Sequence, residues 1–230
     1  MRASEIITEY EKGTKNSAEI FRVMQSNGYE KLGDGEEATV WQKDNGNIIK
    51  ILMPTVGIMP TDTHAFGQAD LAFLTFYNFC QDHSDLACLP KFVNIQGAHH
   101  NTFKIGGITY RQIAMEKLIP IRKDSANEFM VWMLSDYAST KHDWDTIIHD
   151  IMHTAKITSK ASSNNKLYYD VERMMNNKYY VYKFKLLLTT MQSLYMEGRR
   201  NGLGWDLHTE NVMMRANGDL VITDPYYGLS

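Results

Sequence analysis

Residues 204–226 read Gly204-Trp205-Asp206-Leu207-His208-Thr209-Glu210-Asn211-Val212-Met213-Met214-Arg215-Ala216-Asn217-Gly218-Asp219-Leu220-Val221-Ile222-Thr223-Asp224-Pro225-Tyr226. Asn217-Gly218 between two apolar runs is the strongest short-range hairpin signal. A two-residue turn there puts Asn211 directly opposite Asp224, with Cβ atoms roughly 5 Å apart. An amide oxygen and a carboxylate at that spacing suit one hard cation. Asp206 precedes them as a loop carboxylate able to act as a base. Together these are the parts that phosphoryl transfer needs.

The rest of the chain supplies a setting for them. Its 230 residues, 43% hydrophobic and 11% aromatic, give enough apolar surface for a real core. A formal net charge of -3 offers no global basic field for nucleic acid or anionic lipid. Only Cys80 and Cys88 are present, so neither a disulfide framework nor a thiolate metal site is indicated, and a reducing cytoplasm is expected. No signal peptide and no membrane span is read.

Residues 4–27 predict one or two short amphipathic helices broken near Gly13. Residues 29–42 and 48–53 predict strands around Asp44-Asn45-Gly46, and residues 64–81 an aromatic-rich helix. Residues 92–96 and 108–115 predict two more strands, with His99-His100 in an exposed loop before the second. Past Pro120 the pattern turns helical, over 127–137, 143–157 and one long segment from about 168 to 199. Residues 159–165 are the best loop candidate.

Leu32-Gly33-Asp34-Gly35 joins two strands rather than a strand to a helix, so it is no dinucleotide fingerprint, and no GxxxxGK[ST] occurs. Gly33 and Gly35 suit a flap whose amides approach phosphate oxygens. Lys50 is a charge inside the apolar run Ile48-Ile49-Lys50-Ile51-Leu52. A two-residue turn at Asn45-Gly46 would face it with Trp41. The favoured three-residue loop Asp44-Asn45-Gly46 faces it with Val40, which places Lys50 and Ile48 under the flap.

These motifs, in this order, resemble the protein-kinase-like superfamily. Gly33-Asp34-Gly35 to Val40 resembles its glycine-rich loop, Ile48-Ile49-Lys50 its ATP-lysine strand, and Met115-Glu116-Lys117-Leu118 its gatekeeper and hinge. Asp206-Leu-His-Thr-Glu-Asn211 is similar to the catalytic loop D-x-x-x-x-N, and Asp224-Pro225-Tyr226 stands where the family has D-F-G. Among relatives the chain most resembles the compact early Ser/Thr protein kinases of T7-like phages.

The resemblance implies an α+β, two-lobe kinase-like fold with a small antiparallel sheet lobe. It implies a helical extension over 1–27, an N-lobe over 28–119 with a hinge at 115–119, and a truncated helical C-lobe over 120–230. It implies ATP and Mg²⁺. Lys50 would hold phosphates, Gly33, Gly35, Val40, Ile48 and Met115 would enclose the nucleotide, and backbone groups of Glu116 and Leu118 would hold adenine. Asn211 and Asp224 would hold the metal, and Asp206 would accept the acceptor's proton.

The helix partner of Lys50 is a glutamate in the family. The 64–81 helix has none, so Asp70, or else Gln68, takes that place. Gly204 and Trp205 replace the usual histidine and arginine, which argues against control by a phosphorylated activation loop. Six residues follow Asp224, so a peptide-binding surface is expected from the helices of residues 120–166. The implied acceptor is a Ser or Thr of a host protein in the host cytoplasm, with no nucleic-acid or membrane partner.

Asp206-Leu-His-x-x-Asn also resembles small-molecule kinases of the aminoglycoside and choline type. That is the alternative, beside a nucleotide-binding pseudokinase that acts by binding a partner. Asp145, His149 and His153 fall at helical spacing, but without a neighbouring glutamate they are read as a solvated face.

Overall fold

The computed structural model describes residues 9–34, 38–42, 46–52, 67–94, 100–105, 108–162 and 165–227. It divides into two compact units. One comprises Met1–Ala69 and Lys91–Lys117, the other Asp70–Pro90 and Leu118–Ser230.

Among the described residues, the first unit holds a five-stranded antiparallel sheet and helix α1. Its strands are β1 (Glu30–Asp34), β2 (Ala38–Gln42), β3 (Ile48–Leu52), β4 (His100–Ile105) and β5 (Ile108–Met115), in the order β1-β2-β3-β5-β4. Helix α1 (Glu9–Ser26) runs unbroken through Gly13, against the expected break. A glycine costs a helix interior only about 1 kcal/mol, and burial on the sheet outweighs it. Ile20 and Met24 of α1 are buried in one cluster with Trp41, Ile49, Ile51 and Tyr110. Each such side chain contributes about 1.5–3 kcal/mol when taken out of water. The Trp41 indole, 1% exposed, donates to Thr39 Oγ1 at 2.8 Å, so its polar atom is satisfied inside the core.

Two sequence expectations change here. Residues 92–96 form no strand among those described. Phe92 makes only an isolated bridge to Met115, beside the bonds Val93 N to Ala114 O and Glu116 N to Lys91 O, both 2.9 Å. The edge strand is β4, and His100, expected in a loop, begins it, half-buried, with its Nδ1 3.0 Å from Arg111 Nη1. The signal was available. Phe103 and Ile105 alternate ahead of Gly106-Gly107, and the register places Ile105 opposite Ile108.

The second unit is mainly helical. It takes helix α2 (Gly67–Asp82) from Asp70 onward, then the short strand β6 (Ile119–Pro120) and helices α3 (Ala126–Asp136), α4 (Trp144–Ala161), α5 (Lys166–Met175) and α6 (Lys178–Arg200). It ends with β7 (Gly204–Trp205), a 3-10 turn (Thr209–Asn211), β8 (Val212–Met214), β9 (Leu220–Ile222) and β10 (Tyr226–Tyr227). The long helix expected from 168 to 199 is two helices. Asn177 leaves the helical region and caps α6 by accepting from the Tyr179 amide at 2.9 Å, which asparagine does well. Ser159, expected in a loop, is a buried residue of α4 whose hydroxyl accepts from the Tyr168 amide at 3.0 Å. No described helix is long and apolar enough to cross a membrane.

α6 is the spine of this unit. Phe184, Leu187, Leu188, Met191 and Leu194 are buried along one stripe. Near its end, Gly198 lets Tyr226 approach the helix. A Cβ on residue 198 would stand 2.6 Å from Tyr226 Cε1. The Tyr226 hydroxyl donates to Leu194 O at 2.7 Å. Gly198→Ala should therefore destabilise by roughly 1–3 kcal/mol, although Ala is the better helix former, lowering the melting temperature by about 2–4 °C per kcal/mol. Scanning calorimetry reads the sign. A rise in melting temperature would mean that Tyr226 is not held against α6.

Candidate active site

In the sheet unit, register gathers most of the expected nucleotide residues. Gly33 pairs with Val40, Val40 with Lys50, and Ile48 with Met115. Directly paired residues share a face, and alternation puts Lys50 and Ile48 together. Gly33, Val40, Ile48, Lys50 and Met115 therefore lie on one face. Ile49 and Ile51 lie on the other, packed with α1. The Val40–Lys50 pairing is the one the three-residue loop required.

The register shifts between Lys31 and Gly33, a bulge, and the space where the Gly33 Cβ would stand is open to at least 4 Å. A bulge is a usual device for re-aiming an edge. Met115 is 6% exposed. Glu116 is fixed at both ends to Lys91, its N–H donating to Lys91 O at 2.9 Å and its Oε1 accepting from Lys91 N at 2.8 Å. Leu118 is buried as the first residue of the helical unit's last segment. Gly35 lies outside the described residues. So do the side chains of Asp70 and Gln68, which sit in the first turn of α2.

In the helical unit the hairpin differs from expectation by one residue. Val212 pairs with Ile222, Met213 with Val221 and Met214 with Leu220. The ladder closes through Arg215 N to Asp219 O at 2.9 Å, and Gly218 N donates to Arg215 O at 2.9 Å. The loop is thus three residues, Ala216-Asn217-Gly218, with Gly218 at φ 85°. Asn-Gly serves this loop as well as the two-residue one, because both need a left-handed residue at the glycine. Asn211 consequently faces Thr223, not Asp224.

That slip fixes Asp224 from both sides. Thr223 N and Oγ1 donate to Asn211 O at 2.9 and 3.1 Å. On the other side Asp206 N donates to Pro225 O at 2.9 Å, extending the β7–β10 ladder in which Trp205 pairs with Tyr226. The Asn211 amide donates to Asp206 O at 2.6 Å and stands 3.1 Å from His208 Nε2. His208 Nε2 is itself 4.0 Å from Asp206 Oδ1. Asp206, Asn211 and Asp224 are thereby held on one closed excursion of chain.

Behind it, the hairpin is anchored. Ile222 N donates to Cys88 O at 2.9 Å, and the Arg215 guanidinium donates to Ala87 O and, at 2.8 Å, to Leu89 O. Lys183 of α6 meets Asp219 at 2.6 Å with both side chains partly buried, and its ammonium lies 4.1 Å from the Tyr179 ring centre. No local sequence pattern pairs Lys183 of α6 with Asp219 of the hairpin, 36 residues later, so the clamp shows only in the structure.

The hydrogen bond from Lys183, opposed by partial burial and helped by the Asn217 amide, holds the Asp219 carboxyl below the usual carboxylate range. Partial burial pushes Lys183 down, but Asp219 and Tyr179 outweigh it and hold the ammonium above its ordinary value. A depressed carboxyl stabilises the fold above its unfolded pKa and loses that contribution as pH falls through the folded value. The raised lysine contributes below its unfolded pKa and loses that as pH rises through the folded one. The clamp is therefore complete between about pH 4 and pH 10. Asp219→Asn should lower the melting temperature at pH 7 by about 2–4 °C per kcal/mol lost, and lose less than the wild type between pH 5 and pH 3. Parallel acid limbs in thermal melts would show that the pair does not stabilise the hairpin.

The two expected metal donors, the Asn211 amide and the Asp224 carboxylate, both offer oxygen. That suits a hard cation such as Mg²⁺, which keeps waters and phosphate oxygens in its shell, rather than zinc. Among the described residues no group of three or more His, Cys, Asp or Glu is gathered to hold a metal, and this includes Asp145, His149 and His153. His149 and His153 stack with ring centres 6.3 Å apart on α4.

No family model and no curated protein matches the chain. Solved structures are similar to it, among them two small-molecule phosphotransferases. A microcompartment-associated aminopropanol kinase shares 11% identity at a TM-score of 0.40, covering 89% of this chain and 68% of that one. An aminoglycoside phosphotransferase from Alicyclobacillus acidocaldarius subsp. acidocaldarius DSM 446 shares 13% at 0.36, covering 90% and 67%. Both scores are low, and the chemistry of the site is carried by the chain's own residues. The fold is α+β, an antiparallel sheet unit and a mainly helical unit, as the sequence led us to expect.

Proposed function

We propose that the chain is a MgATP-dependent phosphotransferase. The observation that carries this is the pinning of the residues on either side of Asp224, Thr223 to Asn211 and Pro225 to Asp206. It holds a base and two metal-ligand candidates in fixed relation, and phosphoryl transfer depends mostly on positioning and electrostatics. The single sheet face with Gly33, Val40, Ile48, Lys50 and Met115 supports it, since a lysine among apolar residues suits a nucleotide's phosphates and base.

In this proposal Lys50 neutralises the α and β phosphates, Val40, Ile48 and Met115 cover the adenine ring, and backbone groups of Glu116 and Leu118 hydrogen-bond its edge. Asn211 and Asp224 hold Mg²⁺, which when bound screens the phosphate charge. Asp206 orients an acceptor hydroxyl and takes its proton as the new O–P bond forms and the β–γ bridging P–O bond breaks. ADP leaves with the bridging electron pair, and Asp206 returns the proton to solvent.

The acceptor is taken to be a Ser or Thr of a host protein, as the resemblance to phage protein kinases implies. A small hydroxylated acceptor is the second possibility. It is favoured by His208, which contacts Asn211 within the catalytic turn. A thermal-shift titration tests the donor half. ATP with Mg²⁺ should raise the melting temperature, and Lys50→Met should remove most of that rise. An unchanged rise in Lys50→Met would remove the lysine from the nucleotide site.

A further inference from the structure

A cleft of about 600 Å³ opens in the helical unit, within the range of small-ligand sites. Asp124, Glu128, Phe129, Trp132 and Leu167 line it, together with Thr209 of the 3-10 turn. Thr209 lies between Asp206 and Asn211 in sequence, so the cleft reaches the catalytic turn itself. Its described lining holds two carboxylates and no lysine, arginine or histidine.

The acids are firmly built. Ser125 caps α3 by accepting from Glu128 N at 3.2 Å, and Glu128 Oε2 accepts from Asp124 N at 2.6 Å. Asp124 takes φ 57°, a left-handed conformation that aspartate tolerates. Trp132 packs on Phe129 with ring centres 5.7 Å apart and keeps 47% of its surface exposed. An exposed indole beside two carboxylates repels anions and attracts an ammonium or guanidinium by both ion pairing and cation–π attraction.

We propose that this cleft binds the cationic end of the phosphoryl acceptor and so presents its hydroxyl to Asp206. This rests on the phosphotransferase proposal for the role of the bound molecule, but not for the binding itself. The shared chemistry is a positive charge near a hydroxyl, which a basic residue close to a serine in a peptide and a small amino alcohol both supply.

The test is calorimetric titration of the full chain with three probes: the peptide Arg-Arg-Ala-Ser, its counterpart Glu-Glu-Ala-Ser, and ethanolamine. At least one cationic probe should bind, more weakly as salt rises, and the acidic peptide should not. Asp124→Asn with Glu128→Gln should weaken that binding about 10-fold or more, and Trp132→Leu about 2- to 5-fold. Glu128→Gln keeps an oxygen for the Asp124 amide, so the melting temperature of the double variant should stay near wild type.

Binding of the peptide alone assigns a protein acceptor, and binding of ethanolamine alone a small one. No cationic binding, equal binding of the acidic peptide, or unchanged affinity in the double variant overturns the proposal. If cations bind as described but no phosphoryl group is ever transferred, the cleft stands and the phosphotransferase proposal fails.

Discussion

Asp206→Asn should lower phosphoryl transfer about 10³-fold while changing nucleotide affinity by no more than about 2-fold. A positioned general base is worth roughly 10²–10⁴ in rate, and an amide of the same shape cannot accept the proton. The substitution leaves the backbone in place. The Asp206 N–H still bonds Pro225 O, and its carbonyl still accepts from the Asn211 amide, so the turn keeps its geometry. A fall in kcat with ATP binding intact is the expected signature, read by single-turnover kinetics and a parallel binding titration. An equal loss of ATP affinity would mean that Asp206 serves the nucleotide or the fold instead.

Asp224→Asn should act differently. It removes the one carboxylate in the proposed Asn211–Asp224 metal pair, so transfer should fall about 10²–10³-fold and the Mg²⁺ concentration needed for half-maximal rate should rise. The bonds from Thr223 and to Pro225 that hold this segment are untouched by the substitution. Varying Mg²⁺ at saturating ATP separates this effect from that of Asp206. A variant with wild-type Mg²⁺ dependence would remove Asp224 from the metal site.

Much of the sheet unit was legible in sequence because its signals are local. Asp44-Asn45-Gly46 has two possible loops, and the buried pattern of Trp41, Ile49 and Ile51 decides between them, since a slip of one residue would send those side chains to the wrong face. The same ambiguity at Asn217-Gly218 could not be resolved that way. β8 and β9 are three residues each, too short for alternation to choose a register. There the choice is reinforced by distant partners: Lys183 on Asp219, and the Ala87 and Leu89 carbonyls on Arg215.

The candidate site divides along the same line. Asp206, Asn211 and Asp224 could be named from a motif, but the bonds from Thr223 and to Pro225 that fix them depend on ladders between separate segments. The acceptor cleft was legible only as an expectation that residues 120–166 supply a surface. Its lining comes from α3, α4, α5 and the 3-10 turn, and no local pattern brings Thr209 and Trp132 to one cleft.

The central claim is that this chain moves the γ-phosphoryl group of ATP. The most direct measurement is incubation of the wild-type chain with γ-labelled ATP and Mg²⁺ in a bacterial lysate, with Asp206→Asn alongside, followed by separation of proteins from small metabolites. The account predicts label on an acceptor or on the chain itself in the wild type and its near-complete loss in Asp206→Asn. Absence of label in every fraction, or equal labelling by the variant, would contradict it.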